Sequence, residues 1–296
     1  MTTQVSSSSQ SQNTKACVSV LLPVKNEAAN IGRCLSHLSW CDEVFVVDSQ
    51  STDGTPQIAE EMGAKVVQFY FNGTYPKKQN WALTNLPFRN EWILIVAADE
   101  VIPCELAKEI EQAVQSGKCD GYYLKRRFEF RGRWIWHCGD YPSYSLRLLR
   151  HRLGRYEKLV ASDSGDSEVH EHIVFAGRTD YIKNDILHYP YRDIATWVEK
   201  HNRYSNWEAE LFERFRSGDT EGAEELIGFR QRVKRWFKRI YLRLPLRFVF
   251  RFFYSYIWKH GFLDGRPGFI LCVLLSFYDF LSWAKVYERR FKQSTS

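Results

Sequence analysis

The sequence predicts an α/β fold: a doubly wound, mostly parallel sheet, followed by a C-terminal helical extension that associates with a membrane. Between Val18 and Ser116, short apolar runs rich in β-branched residues alternate with segments of helical periodicity. Continuous apolar runs are typical of strands that helices cover on both faces. Regular alternation of strand and helix predicts parallel strands joined by right-handed crossovers. The extension is predicted because the C-terminal part of the chain reads as helical and is rich in basic and aromatic residues.

Each element of the first half has its own local signal. "VSVLLPV" is apolar and has Pro23 next to its end, whereas Ile31, Leu35 and Leu38 recur at helical spacing. Pro56 suits the first turn of a helix. The predicted order is a strand over Val18–Val24, a helix capped by Asn26 or Asn30, a strand over Val44–Val47, a helix over Thr55–Met62, a short strand "AKVVQF", a helix over Lys78–Thr84, a strand over Trp92–Ala97 and a helix over Pro103–Ser116.

The second half has a different texture. After Asp120, "GYYLKRRFEFRGRWIW" and "YSLRLLRH" predict antiparallel strands with a hairpin turn at Arg131-Gly132. From Thr196 onward the chain reads as helical. We therefore expect a disordered tail over residues 1–16, a catalytic domain over 17–205 and a helical, basic and aromatic region over 206–296.

Composition limits the classes of protein that need to be considered. The chain has 296 residues and is 44% hydrophobic, which is compatible with a sizeable core. Its seven cysteines form no CxxC pair, so neither a zinc site nor a disulfide framework is predicted, and reduced thiols indicate the cytoplasm. The Ser/Gln/Thr-rich start has no apolar stretch typical of a secretory signal.

Acidic residues follow two of the predicted strands. Asp48 ends the second strand, and Asp99-Glu100 follows the fourth. Because carboxyl ends of parallel strands open onto one edge, these carboxylates should lie on the same rim. Such a pair suits Mg²⁺ or Mn²⁺ bridging a diphosphate. The alternative is that Asp48 and Asp53 only make turn and cap hydrogen bonds.

Four stretches in order carry a family resemblance: "LLPVKNEAANIGRCL", "EVFVVDSQSTDGT", "KKQNWAL" and "WILIVAADE". They resemble the inverting family 2 glycosyltransferases, which have the glycosyltransferase A fold. Later "YP…LRL" and "LHY" stretches make the chain similar to the branch that builds lipopolysaccharide core and exopolysaccharide. The resemblance implies a nucleotide-sugar donor, a divalent cation and a glycan or glycolipid acceptor.

The resemblance also implies roles for individual residues. The sequence departs from the family pattern at two of the relevant positions. Ala97 stands where the family has the first acid of its Asp-X-Asp stretch, and Ser49 stands where many relatives carry an Asp that reads uracil, so a uridine donor is not implied. The implied donor-binding residues are Pro23, Glu27, Asp48, Ser49 and Lys78, and the implied metal ligands are Asp99 and His188. Arg147 in "SLRLLR" is a further binding candidate, because a guanidinium can contact diphosphate or an anionic acceptor through two hydrogen bonds.

An inverting transferase needs a general base on the acceptor side of the cleft, where it deprotonates the attacking hydroxyl. The second half offers two candidates, Glu171 in "VHEHI" and Asp140 in "CGDYPSY". We favour Glu171 because "VHE" matches a stretch of the resembled branch.

The segment from Phe229 to Arg251 holds nine cations and no acid, interleaved with aromatic residues. It lacks a nucleic-acid recognition motif, so no nucleic-acid partner is predicted. A helix at a bilayer interface fits the pattern, and a helix packed on the enzyme's own core is the alternative. Asp279 interrupts the later apolar run, which predicts monotopic or re-entrant rather than spanning placement. The expected location is cytoplasmic, peripherally associated with the inner membrane.

Three functions are compatible with these residues. The first is metal-assisted sugar transfer, with inversion, to a lipid-linked or cell-envelope glycan. The second is a polyprenyl-phosphate sugar synthase, and the third is a degenerate member that binds nucleotide sugar without turnover. We prefer the first.

Overall fold

The structure is a computed structural model that describes residues 15–139, 141–158, 172–217 and 246–295. The first half follows the predicted alternation of strand and helix. Its elements are β1 (Ala16–Val24), α1 (Ala28–Ser36), β2 (Cys41–Asp48), α2 (Thr55–Glu61), β3 (Lys65–Gln68), α3 (Lys78–Asn85), β4 (Trp92–Ile95), β5 (Glu100–Val101) and α4 (Cys104–Ser116).

Strand β1 is central because it pairs in parallel with both β2 and β4, while β3 pairs in parallel with β2. Its apolar run is buried on both faces. One face packs against α1 through Ile31 and against α4 through Leu106. Ala82 and Leu83 of α3 pack on the other face. The predicted doubly wound α/β sheet is thereby confirmed.

The second half adds strands that are mostly antiparallel to their neighbours. They are β6 (Gly121–Phe130), β7 (Arg133–Trp134), β8 (Ser143–Arg150), β9 (Gly154–Tyr156), β10 (Ile173–Phe175) and β11 (Thr179–His188). Among the described residues the main sheet has the order β3-β2-β1-β4-β8-β6-β11-β5, with β7 paired to β6. The hairpin predicted at Arg131-Gly132 is confirmed as the turn between β6 and β7. Strand β11 runs parallel to β6 and antiparallel to β5.

Three α-helices follow among the described residues: α5 (Ile194–Ser217), α6 (Arg247–Phe253) and α7 (Gly265–Thr295). A π-helical turn (Tyr254–Trp258) and a 3-10 helix (Gly261–Asp264) connect α6 to α7. A third apolar cluster joins them to the sheet, since Phe130 of β6 packs with Trp197 of α5 and Leu271 of α7. Buried Asp264 accepts a hydrogen bond from the His137 N–H at 2.8 Å, which ties the start of α7 to the strand region.

The long helix α7 confirms the predicted C-terminal apolar helix. The stretch Gly261–Phe291 is long and apolar enough to cross a membrane, by length and composition alone. Asp279, the acid that interrupts the apolar run, is buried against the protein, and its carbonyl accepts a hydrogen bond from Arg247. Residues 229–245 of the predicted basic aromatic segment lie outside the described residues.

Candidate active site

The carboxyl ends of β1 and β2 meet at Val24 and Asp48, which pair in register. The Asp48 carboxylate is fully buried. It accepts hydrogen bonds from the Ser51 N–H at 3.0 Å, from the Ser51 hydroxyl and from Gln68 Nε2 at 2.9 Å. Both of its oxygens therefore hold the turn after β2 and join that turn to β3. The predicted contact of Asp48 with the donor stays a prediction.

The carbonyl oxygen of Val24 is hydrogen-bonded to two further predicted donor-binding residues, Ser49 and Lys78. It accepts hydrogen bonds from the Ser49 N–H at 3.1 Å and from Lys78 Nζ at 2.8 Å. Pro23, one residue earlier in β1, is half-buried. The Ser49 hydroxyl is buried and has no hydrogen-bond partner among the described residues. Because buried polar groups are normally satisfied, this hydroxyl is available to a ligand.

Glu27 precedes helix α1, at the same edge of the sheet. Its carboxylate accepts a hydrogen bond from Asn30 Nδ2 at 2.8 Å, and its N–H donates to Thr55 Oγ1 at 2.8 Å. Burial raises the pKa of Glu27, and the negative charge of Asp99 adds to this rise although the Asn30 hydrogen bond opposes it. The loop after β1 and the end of β4 therefore act on each other electrostatically.

A tight turn follows β4. The Ala97 N–H donates to Glu100 Oε2 at 2.8 Å, and the Glu100 N–H donates to the Ala97 carbonyl at 3.0 Å. The Glu100 side chain is fully buried and lies 3.2 Å from Arg147 Nη2 and 3.7 Å from Arg126 Nη1. Two arginines therefore balance the charge of Glu100, whose backbone pairs with β11, whereas Asp99 contacts β11 through its side chain.

Asp99 contacts two cationic or titratable groups. Its Oδ2 lies 3.2 Å from His188 Nε2 at the end of β11 and 3.7 Å from Lys200 Nζ on α5. Burial alone would raise the pKa of Asp99, but His188, Lys200 and Arg126 outweigh it and hold the pKa well below its ordinary value. Burial works against charge on Lys200 in turn, yet Asp99 outweighs it and raises the pKa of Lys200. Asp99 is thus ionised and paired.

Arg147 was predicted to contact diphosphate or an anionic acceptor. In the structure its Nη2 approaches Glu100, its Nε donates to Ser145 Oγ at 3.1 Å and its Nη1 donates to the Ile95 carbonyl at 3.4 Å. Burial tends to lower the pKa of Arg147, but Glu100 outweighs this effect and raises it. Arg147 joins β8 to the end of β4, and its contact with diphosphate stays a prediction.

The structure brings Asp99 and His188, both predicted as metal ligands, into contact. Lys200 was missed, because nothing in the sequence around α5 marks a lysine that returns to the β4 turn. Asp140 and Glu171, the two candidates for the general base, lie outside the described residues. Within the described part of the chain, no group of three His, Cys, Asp or Glu side chains is placed to hold a metal ion.

Comparison with known proteins identifies the family to which this chain belongs. The model of glycosyl transferase family 2 matches residues 19–167. A relative from Rickettsia felis, described as an uncharacterized glycosyltransferase, is 31% identical over 286 residues that cover 93% of this chain and 91% of the relative. The chain belongs to glycosyltransferase family 2. Membership confirms the predicted family and enzyme class: the chain is a glycosyltransferase.

Another similar protein is LpsC of Rhizobium meliloti, a lipopolysaccharide core biosynthesis glycosyltransferase. It is 26% identical over 289 residues, which cover 93% of each chain. Among solved structures, S. aureus TarS in complex with UDP-GlcNAc aligns with a TM-score of 0.45 and 17% identity, covering 94% of this chain and 92% of that one.

Proposed function

We propose that this glycosyltransferase transfers a sugar, with inversion, from a nucleotide-sugar donor to a glycan or glycolipid acceptor of the cell envelope. Membership in family 2 supports the donor class, and similarity to a lipopolysaccharide core enzyme supports the acceptor class. The observation that carries the proposal is the ionised carboxylate of Asp99 at the end of β4, bordered by His188 and Lys200.

A divalent cation fits beside Asp99 and His188 when the donor supplies further ligands. Mg²⁺ and Mn²⁺ are commonly held by one or two carboxylates plus substrate phosphates, and imidazole is a good ligand for several transition metals. One carboxylate and one imidazole are therefore a sufficient protein contribution. The bound ion would neutralise negative charge on the leaving nucleoside diphosphate.

The chain's own residues divide into a donor side and an acceptor side. On the donor side we infer that Glu27, Ser49 and Lys78 border the nucleotide, with the free Ser49 hydroxyl offering a hydrogen bond. On the acceptor side a carboxylate, Glu171 or alternatively Asp140, takes the proton of the attacking hydroxyl. The new bond forms at the anomeric carbon as the diphosphate leaves with the bonding electrons.

We further propose that α6 and α7 hold the enzyme on the cytoplasmic face of the inner membrane. Most of the exposed large hydrophobic side chains of the described residues belong to this region, including Phe250, Trp258 and Tyr287. Arg251 and Lys259 lie among them. Aromatic groups that enter the acyl boundary beside cations that meet anionic headgroups are typical of interfacial helices.

Release of nucleoside diphosphate from a panel of nucleotide sugars, with Mn²⁺ and a lipopolysaccharide core acceptor, tests the proposed transfer. We expect Asp99→Asn to lower kcat/KM by roughly a hundredfold or more, because the isosteric amide cannot bind the cation as a charge. The matched control is Asp42→Asn, at the opposite end of β2, where Asp42 pairs with Arg89 at 3.5 Å. This variant should retain wild-type turnover.

Three results would contradict the proposal, each in a different way. Undiminished turnover in Asp99→Asn would show that the Asp99 carboxylate takes no part in the reaction. Tight nucleotide binding by the wild-type enzyme, without release from any donor, would indicate a degenerate member. Transfer onto polyprenyl phosphate in preference to the glycan would indicate a polyprenyl-phosphate sugar synthase.

A further inference from the structure

One face of the second half of the sheet has the chemistry of a carbohydrate-binding surface. We propose that this tyrosine face, defined by Tyr123, Lys125, Arg127, Tyr144 and Tyr181, binds the acceptor glycan and recognises a carboxylate or phosphate group on it. The inference rests on the proposed function, since it names the acceptor class of the same transferase.

Strand register places these side chains together. Lys125 of β6 lies opposite Tyr144 of β8 on one side and opposite Asp185 of β11 on the other. Two residues earlier, Tyr123 lies opposite Tyr181. Paired residues on neighbouring strands point to the same face, as do residues two apart on one strand. The tyrosines and the lysine therefore share one surface.

The three tyrosine rings form a contiguous aromatic patch. Tyr123 and Tyr181 stack with their ring centroids 5.3 Å apart, and Tyr144 meets Tyr181 edge-on at 5.0 Å. Tyr181 is nevertheless 60% exposed and Tyr144 is 43% exposed. The face of an aromatic ring is electron-rich, so it attracts the weakly positive C–H groups on the flat side of a sugar ring. An aromatic patch left open to solvent indicates a binding surface.

Beside the rings lies a cluster with more positive than negative charge. Lys125 Nζ lies 3.3 Å from Asp185 Oδ1, and Arg127 Nε lies 3.4 Å from Asp185 Oδ2. Tyr141 Oη also donates to this carboxylate, at 3.2 Å. Among the described residues two cations thus share one carboxylate, which leaves this group of side chains with an excess of positive charge. An acidic group on a bound sugar would balance it.

Arg127 is held in place rather than left free to move. Its guanidinium lies over the rings of Trp134 and Trp136, with 5.0 and 4.8 Å to the ring centroids. Its buried Nε has no hydrogen-bond partner of good geometry among the described residues. Glu129, the next acid along β6, accepts a hydrogen bond from the Gly132 N–H at the hairpin turn. A guanidinium fixed between two rings suits recognition of an oxyanion.

The tyrosine face is within reach of the donor edge. Strand β11 continues from Asp185 to His188, which contacts Asp99. Three residues of strand span ~10 Å. Asp185 and His188 are three residues apart, so their side chains point to opposite faces of the sheet. A short oligosaccharide bound on the tyrosine face would therefore extend its terminal sugar past the end of β11 to reach the donor.

Calorimetric titration with the deacylated core oligosaccharide of a bacterial lipopolysaccharide tests the inference without requiring turnover. We expect Tyr181→Ala to weaken binding roughly tenfold, equivalent to ~1.4 kcal/mol, while Tyr181→Phe keeps the ring and the wild-type affinity. Lys125→Gln should weaken binding by a similar factor, and Lys125→Arg should preserve it. Thermal unfolding verifies that each variant is folded.

The same oligosaccharide, either dephosphorylated or with its carboxyl groups reduced, identifies the acidic group. The modification that removes the recognised group should weaken binding to wild type more than binding to Lys125→Gln, because that variant retains only Arg127 to contact the group. Unchanged binding of both modified forms to wild type would overturn recognition of an acidic group. Equal affinity of Tyr181→Ala and wild type, or no binding by wild type, would overturn the tyrosine face.

Nucleoside diphosphate release is measured on the same proteins to separate this inference from the proposed function. Donor turnover by wild type together with unaffected glycan binding in Tyr181→Ala would refute the tyrosine face alone. Glycan binding that depends on Tyr181, without turnover of any donor, would refute the proposed function and leave the tyrosine face standing.

Discussion

Membrane docking by α6 and α7 can be tested at a single side chain. Trp258 lies in the connection between these helices and is 75% exposed, more than any other large hydrophobic side chain of the described residues. Its neighbours Ile257 and Leu263 are also more than half exposed. If this connection enters the bilayer interface, Trp258→Ser should weaken vesicle binding strongly.

The size of the effect follows from the area that the membrane would remove from water. An aromatic side chain of this kind has roughly 200 Å² to bury, so 75% exposure leaves about 150 Å² available. At ~25 cal/mol per Å², complete transfer from water contributes ~4 kcal/mol. Contact with headgroups recovers only part of this, so we expect a fall of at least roughly tenfold in the partition coefficient.

Co-sedimentation with vesicles of phosphatidylcholine, alone or mixed with phosphatidylglycerol, measures the partition coefficient. Wild-type binding should be tighter to the anionic mixture and should weaken with salt, because Arg251 and Lys259 would meet headgroups. The matched control is Tyr70→Ser, which removes a side chain that is 70% exposed in the first half of the chain. Wild-type binding by Trp258→Ser, or an equal loss in Tyr70→Ser, would refute docking through this connection.

Two predictions concern helix α5. Lys200→Met should tighten Mn²⁺ binding to the nucleotide-bound protein, because the ammonium 3.7 Å from Asp99 competes with the ion. Calorimetry measures this affinity, and equal values for Lys200→Met and Lys200→Arg would contradict the competition. Burial lowers the pKa of His201 to about 4, although the Trp197 carbonyl opposes this. As the pH is lowered, His201 is protonated in the unfolded chain before it is protonated in the folded protein. The free energy of unfolding should therefore decrease as the pH falls from ~6.5 to about 4. Urea titrations should show a smaller fall in His201→Phe, and an equal fall would contradict the assignment.

The first half of the fold could be predicted because its signals are local. Apolar runs and helical spacing lie within a few residues of one another, and β1 to α4 follow in the predicted order. The observed end of a strand differs from the predicted one where a side chain closes a turn. The strand predicted to end at Ala97 ends at Ile95, because Ala97 enters the turn closed by Glu100. The parallel pairing of β11 with β6 joins distant segments, and no local pattern marks it.

The candidate site was predictable in position but not in contacts. Motif order located Asp48 at the end of β2 and Asp99 in the turn that follows β4. It could not reveal that the Asp48 carboxylate is occupied by Ser51 and Gln68, because those bonds depend on how the turn packs on β3. It also gave no sign of Lys200, since that contact is set by the packing of α5.

Ala97, which stands in place of an acid of the family pattern, and Lys200, which lies beside Asp99, together affect how the site binds a cation. One carboxylate beside an ammonium attracts a divalent ion less than a pair of carboxylates does, so metal affinity without donor should be weak. Once the ion is bound, however, the site formed by Asp99 and Lys200 carries a net positive charge, which attracts the donor diphosphate more strongly. Diphosphate oxygens in turn supply the ligands that the protein lacks. Metal and donor should therefore bind cooperatively, each supplying the charge that the other needs.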